Sequence, residues 1–333
     1  MAWAARRRAA LLKGEIRGID HPVSRLVLGT LYADDLRTWT DIADAFVAGG
    51  GDCFDTAYVY GEGRAEQVLG AWIRDRRLRE EIVLAGKGGH PPHCKPERLG
   101  VELAVSLDRL RSDWMDVYLV HRDDPSVPAG EFVDAMHELL ASGLIRAYGM
   151  SNWSAARMEE AVAWAATHGL RPPSAVSNQL SLARPATVEI WPGAVSASGP
   201  GWQAWLRRTR LPLLAWSSQA EGFFATRFAS QRAMSEHVLR TWHSTDNLER
   251  RRRTLEVAAA HGVDGSAVAL AWVLRREHPT FAIFGAESAG EVESALRAAD
   301  LGLTVADADW LDLEEKRAPQ QGYGPGRAGM DRG

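Results

Sequence analysis

The chain has 333 residues, of which 46% are apolar and 25% charged, with a formal net charge of −4. This is enough apolar material for one large core, and it excludes disorder and a general polyanion-binding role, so no nucleic-acid partner is expected. The Arg6-Arg7-Arg8 and Arg250 to Arg253 runs are read as solvated helix or terminus charge rather than a nucleic-acid stripe.

In chain order, eight short apolar runs are expected as strands: residues 26–29, 53–56, 82–87, 117–121, 147–151, 175–179, 213–217 and 281–285. Most are apolar throughout, which suits parallel strands covered on both faces. Between them the 3.6-residue period and capping signals predict helices over 64–74, 96–111, 131–141, 154–168, 266–276 and 291–299. Residues 96–111 start on Pro96 and place Leu99, Leu103, Leu107 and Leu110 on one stripe. Residues 154–168 start on an N-cap serine and stop at Gly169. Eight strand–helix repeats predict a single-domain (β/α)8 barrel spanning 1–333. Its core covers about 24–312, with flexible tails at 1–13 and 318–333. A doubly wound dinucleotide-binding sheet is disfavoured, because no G-x-G-x-x-G follows the first strand. Two stretches, 181–201 and 221–247, are read as long irregular loops after strands six and seven, at the C-terminal mouth of the barrel.

Two cysteines, Cys53 and Cys94, make neither a disulfide framework nor a zinc knuckle, and His90 and His93 beside Cys94 lack further ligands at metal spacing. No stretch approaches the ~18 apolar residues of a membrane span. The arginine-bearing N-terminus has no apolar core beyond Ala9 to Leu12, so neither membrane nor secretion is expected, and the protein is read as cytoplasmic.

The residues that bear chemistry gather at the ends of predicted strands two, three and four. Asp55 and Tyr60 lie five positions apart where Cys53-Phe54-Asp55 turns into a loop. Lys87 closes the third strand and His121 the fourth. An ammonium next to a phenol favours the phenolate and so helps a weak acid to donate its proton, while a carboxylate fixes the ammonium. A histidine can hydrogen-bond a carbonyl oxygen. Any one of these residues alone would read as a cap, a loop aromatic or surface charge; four at adjacent strand ends read as a site.

With those residues in place, the chain resembles the aldo-keto reductases, a superfamily whose catalytic set is an Asp, Tyr, Lys and His in this order and context. The resemblance runs from about Ser24 to about Asp312. It implies that Asp55, Tyr60, Lys87 and His121 are catalytic and that the protein is an NAD(P)H-dependent enzyme, with Tyr60 as general acid and base. The reaction implied is the interconversion of a small carbonyl compound (aldehyde, ketone or sugar) and its alcohol. Gly149-Met150-Ser151-Asn152 matches the motif whose Ser–Asn pair binds the nicotinamide carboxamide, and Gln179 matches its strand-six partner. Trp216, in Leu214-Ala215-Trp216-Ser217-Ser218-Gln219, replaces the family's usual Tyr and keeps an aromatic face.

The resemblance further implies cofactor contacts from Thr30, from Ser217, Gln219, Ala220 and Gly222 after strand seven, and from Gly285, Ala286, Glu287 and Ser288 after strand eight. One departure bears on the cofactor. The family usually places Lys or Arg after Pro-Gly-Ala to hold the 2′-phosphate of NADP, and this chain has Glu287 there. NADP is the family default, and Glu287 makes NAD its rival unless Ser288, Arg227, Arg232 or Arg297 receives the phosphate. Tyr32, Tyr58, Arg122, Trp153 and Phe223 are the expected substrate contacts, with Trp191 and Trp202 closing over them. Alternative readings are a nicotinamide-binding regulatory subunit with little turnover and a metal-dependent hydrolase using Asp55, His121 and His90. The sequence leaves monomer and homo-oligomer equally open.

Overall fold

The computed structural model describes residues 11–187, 190–227 and 234–314. A two-stranded antiparallel hairpin, β1 (Lys13–Gly14) and β2 (Val23–Ser24), precedes the barrel. The barrel strands are β3 (Leu26–Gly29), β4 (Cys53–Asp55), β5 (Val83–Gly88), β6 (Met115–Val120), β7 (Ile145–Ser151), β8 (Ala175–Ser177), β9 (Leu213–Ala215) and β10 (Thr280–Phe284). Each pairs in parallel with its neighbour in sequence, and β10 pairs with β3 to close the eight-stranded barrel. All eight predicted strands are present, with ends shifted by up to two residues.

The helices on the outside are α1 (Leu36–Ala48), α2 (Arg64–Arg76), α3 (Pro96–Leu110), α4 (Ala129–Ala141), α5 (Ala155–Thr167), α6 (Pro200–Thr209), α7 (Glu236–Trp242), α8 (Thr245–His261), α9 (Gly265–Leu274), α10 (Ala289–Leu296) and α11 (Val305–Leu311). Side-chain caps start many of them: Asp35, Ser154, Ser235, Ser244, Asp264 and Ser288 each accept a first-turn amide, and Thr304 with Asp307 forms a capping box. Among the described residues no single helix is long and apolar enough to cross a membrane.

Strand alternation sorts the core into two layers and aims the site. Val27, Cys53, Val83, Ala85, Val117, Leu119, Ala147, Ala175, Leu214, Phe281 and Ile283 pack inside the barrel, with Ile16 and Val23 of the hairpin against its base. Their outward neighbours, such as Leu28, Phe54, Leu84, Tyr118 and Ala282, join the larger cluster beneath the helices. Because strand side chains alternate, the next inward positions beyond the apolar layer are Asp55, Lys87, His121, Ser151, Trp216 and Gly285. The polar row is thus a continuation of the barrel interior at its C-terminal end.

Three expectations are corrected. The 221–247 stretch is not irregular throughout: it contains all of α7 and the start of α8. Of the arginine run, Arg250 is buried on Asp312, Arg251 donates to the Phe223 carbonyl and Arg253 to the Trp310 carbonyl, so α8 is clamped by it; Arg252 alone faces solvent, paired with Glu249 and Glu256. Of the expected N-terminal tail, Leu11 is buried and Lys13 lies in β1, so residues 11–13 belong to the fold. Residues 1–10, with the Arg6-Arg7-Arg8 run, and the 318–333 tail lie outside the described residues.

Candidate active site

A cavity of about 850 Å³ opens at the C-terminal end of the barrel, inside the size range of ligand sites. Asp55, Tyr60, Lys87 and His121 line its floor. The ladder continues past the strand ends, with Tyr58 donating to the Lys87 carbonyl and His121 to the Gly88 carbonyl, and this brings the four side chains together. Lys87 Nζ lies 2.6 Å from Asp55 Oδ1 and donates to Oδ2 at 2.7 Å, to the Thr56 carbonyl at 2.9 Å and to the Tyr60 hydroxyl at 3.2 Å. Lys87 and Asp55 are only 2% and 3% exposed.

Burial would neutralise Lys87, but the charges of Asp55 and Tyr60 and its bonds to both prevail and raise its pKa. Burial pushes the Asp55 carboxyl up against the pull of Lys87. It also raises the Tyr60 phenol, and the opposing ammonium does not overcome it. The expected net lowering of the phenol is therefore not found, and Tyr60 is held as the protonated acid. His121 is driven well below its ordinary value by burial, then by Lys87, Arg122 and His90, so its ring is neutral. Its Nδ1 has no hydrogen-bond partner among the described residues, and its ring meets Tyr60 edge-on at 5.9 Å and His90 at 5.0 Å.

One wall follows from β7 to β9. Ser151 Oγ donates to the Ser177 carbonyl, and Asn152 sits at φ +62°, with its amide nitrogen on the His121 carbonyl and its oxygen receiving the Val195 amide. Asn152 therefore braces His121 from behind. Gln179 is buried and spent on both sides, donating to Ser181 and accepting from Ser196. Trp216 lines the cavity with a buried Nε1 that has no hydrogen-bond partner among the described residues. Ser217, Gln219 and Gly222 line it in a tight turn where Ser217, Ala220, Glu221 and Gly222 all have positive φ. The turn is closed by Ala220 and Gly222 donating to the Ser217 and Gln219 carbonyls.

Gly285, Ala286 and Glu287 form the far end. A Cβ at Gly285 would sit 3.2 Å from the Tyr32 ring, so glycine lets that ring lie on the β10 loop. The Glu287 amide donates to Glu291 Oε2 at 2.9 Å, and Glu291 also pairs with Arg227. Burial, then Glu221 and Glu287, raise the Tyr32 phenol.

The other expected residues are placed elsewhere. Thr30 is buried and does not line the cavity, Ala220 is buried inside the turn, and the Ser288 hydroxyl caps α10. Tyr58 packs against the Arg109 guanidinium, Trp153 is buried against Phe132, and Phe223 against Phe224; none of the three lines the cavity. Trp202 packs on Trp205, while Trp191, Tyr32 and Arg122 do line the cavity. Arg297 is not at its wall, and Arg232 lies outside the described residues. His90, Glu221, His237 and Glu291 line it without having been singled out as contacts there. His90 was legible as the third residue after Lys87 on a strand end. Glu221 pairs with His237, which stacks on Trp191, and this required knowing that α7 exists.

Among the described residues no group of three or more His, Cys, Asp or Glu side chains could hold a metal ion. The cavity fits a nicotinamide dinucleotide on three counts: an aromatic face with an orphaned N–H at Trp216, a glycine-lined loop at Gly285, and one continuous volume of about 850 Å³ lined by both Tyr60 and Glu287.

A family model described as Aldo/keto reductase family matches residues 26–316. An uncharacterised oxidoreductase of Mycobacterium tuberculosis is 33% identical over 307 residues, covering 87% of this chain and 88% of its own length. The probable aryl-alcohol dehydrogenase AAD4 of Saccharomyces cerevisiae is 27% identical over 298 residues, covering 82% and 86%. Among solved structures, an aldo-keto reductase from Klebsiella pneumoniae in complex with NADPH superposes with a TM-score of 0.71 at 26% identity, covering 93% of this chain and 98% of that one.

Proposed function

The chain belongs to the Aldo/keto reductase family, and we propose that it interconverts a carbonyl compound and its alcohol with Tyr60 as general acid and base. The observation that carries this reading is the buried Asp55–Lys87–Tyr60 chain of contacts beside a neutral His121. The bound nicotinamide supplies or accepts the hydride. Everything else falls to the residues of the chain.

Tyr60, kept protonated by burial, gives its proton to the oxygen of the carbonyl being reduced. Lys87, with its ammonium 3.2 Å from the phenol oxygen, stabilises the phenolate left behind. Asp55 and the Thr56 carbonyl hold that ammonium in place. His121, braced by Asn152, orients the carbonyl oxygen through a hydrogen bond. In the reverse direction the same phenolate takes the alcohol proton. Residues of about 24–312 act as one barrel domain in this reading.

Ser151 and Trp216 would hold the nicotinamide, Ser217, Gln219 and Gly222 the pyrophosphate, and Gly285, Ala286 and Glu287 the adenosine, all of them lining the one cavity. NADPH bound to the Klebsiella relative supports a nicotinamide dinucleotide here. The adenosine end, however, carries two carboxylates, Glu287 and Glu291, and its arginine, Arg227, is paired with one of them. A 2′-phosphate dianion would be repelled there, whereas a ribose hydroxyl can donate to Glu287. These charges favour NADH over the family's default NADPH. Titrating the protein with each dinucleotide and following quenching of Trp216 and Trp191 tests the proposal. Tighter binding of NADH is expected, and binding of neither would overturn it.

A further inference from the structure

Arg122 is the unexplained charge in this cavity. It follows His121 at the end of β6, lines the cavity wall, and is not exposed. Its Nη1 donates to the His121 carbonyl at 3.0 Å, its Nε is buried without a partner, and among the described residues no carboxylate pairs with it. Among the described residues the carboxylates of the cavity are engaged or remote: Asp55 holds Lys87, Glu221 meets His237, Asp264 caps α9 and accepts the Thr226 amide, and Glu287 and Glu291 lie at the adenosine end. A guanidinium removed from water without a counter-charge is costly, so a resting structure that keeps one beside its reacting groups marks a place for an anion.

The charge count at that end fixes the kind of anion. Lys87 is balanced by Asp55, and His121 and His90 are both uncharged, which leaves a single positive charge on Arg122. One monoanion neutralises it; a phosphate dianion would exceed it. The surroundings fix the rest of the molecule. Trp191, 46% exposed and two residues before Gly193, supplies an aromatic face to the same cavity, and Leu31 and Tyr32, 53% and 58% exposed, line it toward Gly285. Gly193, at φ +69°, lies over the arginine stem, where a Cβ would come within 3.5 Å of Cδ and 3.9 Å of Nε.

We propose that Arg122 binds a carboxylate on the substrate, so that the protein reduces aldehydes or ketones carrying a carboxylate on an apolar, ring-bearing body. This rests on the reductase reading for its chemistry, but binding can be tested without turnover. Isothermal titration of the intact protein, saturated with oxidised dinucleotide, compares 4-carboxybenzaldehyde, its methyl ester and 4-formylphenyl phosphate. The carboxylate is expected to bind at least about tenfold more tightly than the ester, as a charge-assisted hydrogen bond implies. Arg122→Met should lower that ratio severalfold, to what the cationic nicotinamide of the oxidised dinucleotide contributes by itself, and Arg122→Lys should keep part of the difference.

Gly193→Asp, which sets a carboxylate beside Nε while leaving the arginine in place, should also reduce the ratio; Asp is among the residues that tolerate positive φ. Equal binding of acid and ester, a ratio unmoved in both Arg122→Met and Gly193→Asp, or tightest binding of the phosphate would each overturn the proposal. The same three aldehydes are then offered with reduced dinucleotide. Charge-dependent binding without turnover of any of them upholds the anion site and overturns the reductase reading instead. Turnover of acid and ester alike, both lowered equally by Arg122→Met, would make Arg122 an electrostatic partner of Tyr60 and overturn the carboxylate site.

Discussion

Replacing Lys87 with Met should destabilise the fold in a manner that depends on pH. The substitution conserves volume inside the barrel but leaves Asp55, 3% exposed, without the ammonium that lies 2.6 Å from it. Removing one member of a buried ion pair costs about 3–5 kcal/mol. At roughly 2 °C per kcal/mol for a domain of this size, that is a fall in Tm of about 6–10 °C. The penalty belongs to the ionised carboxylate. Burial already raises the folded-state pKa of Asp55 above its unfolded value, and without Lys87 it rises further. A carboxyl shifted in this direction carries no penalty below the unfolded pKa of about 4; the penalty grows as pH rises through the folded value. The Tm gap between wild type and Lys87→Met should therefore be wide near pH 8 and narrow near pH 5. Asp55→Asn with Lys87→Met, which removes both charges, should recover most of the loss and show no such pH dependence. Calorimetric melts of the three proteins at both pH values test this. A gap equal at both pH values, or a double variant no more stable than Lys87→Met, would refute an Asp55 carboxylate held ionised by Lys87.

Glu287→Arg should move the ratio of NADPH to NADH affinity upward by about tenfold or more, because it replaces a repelled contact with a charge-assisted one; an unmoved ratio would show that Glu287 does not face the ribose. His278 is buried against Thr280 Oγ1, and burial, then nearby arginines, bring its pKa down to about 4. The unfolded chain takes up that proton first, so stability should be complete above about pH 6.5 and decline toward pH 4. His278→Asn should flatten the decline in that window, as read by Tm against pH; parallel curves for variant and wild type would contradict it. Arg184→Met with Arg250→Met should lower Tm by several degrees, since the two guanidinia are the partners of buried Asp312, whereas Arg252→Met on the exposed face of α8 should change it little.

The barrel was legible because its strands leave two signals at once: apolar runs buried on both faces, and a period of two that carries Asp55, Lys87 and His121 inward just beyond the last apolar residue. What the sequence concealed has physical causes. A seven-residue helix such as α7 shows too few turns for its period to register. α8 carries little apolar periodicity because four arginines interrupt it, and three of those reach across to Asp312, Phe223 and Trp310 instead of into water. Without α7 and α8, the stack of Trp191 on His237 and the His237–Glu221 pair could not be placed at the cavity. Trp153 and Phe223 were expected as substrate contacts because they sit at loop starts; both point the other way, into the layer beneath the helices. Proximity in sequence to a strand end says which loop a residue joins, and only the alternation of the strand says which side it faces.

The central claim is that Tyr60 delivers the proton in a nicotinamide-dependent carbonyl reduction. A single-turnover measurement tests it most directly: protein preloaded with reduced dinucleotide is mixed with an aldehyde, and loss of the nicotinamide's near-ultraviolet absorbance is followed for wild type and Tyr60→Phe. Wild type should oxidise one equivalent of cofactor per protein. Tyr60→Phe should bind the dinucleotide nearly as well and transfer hydride roughly 10²–10⁴-fold more slowly, as loss of a general acid implies. Equal single-turnover rates in the two proteins would remove Tyr60 from the mechanism, and no oxidation in wild type would contradict the reductase assignment itself.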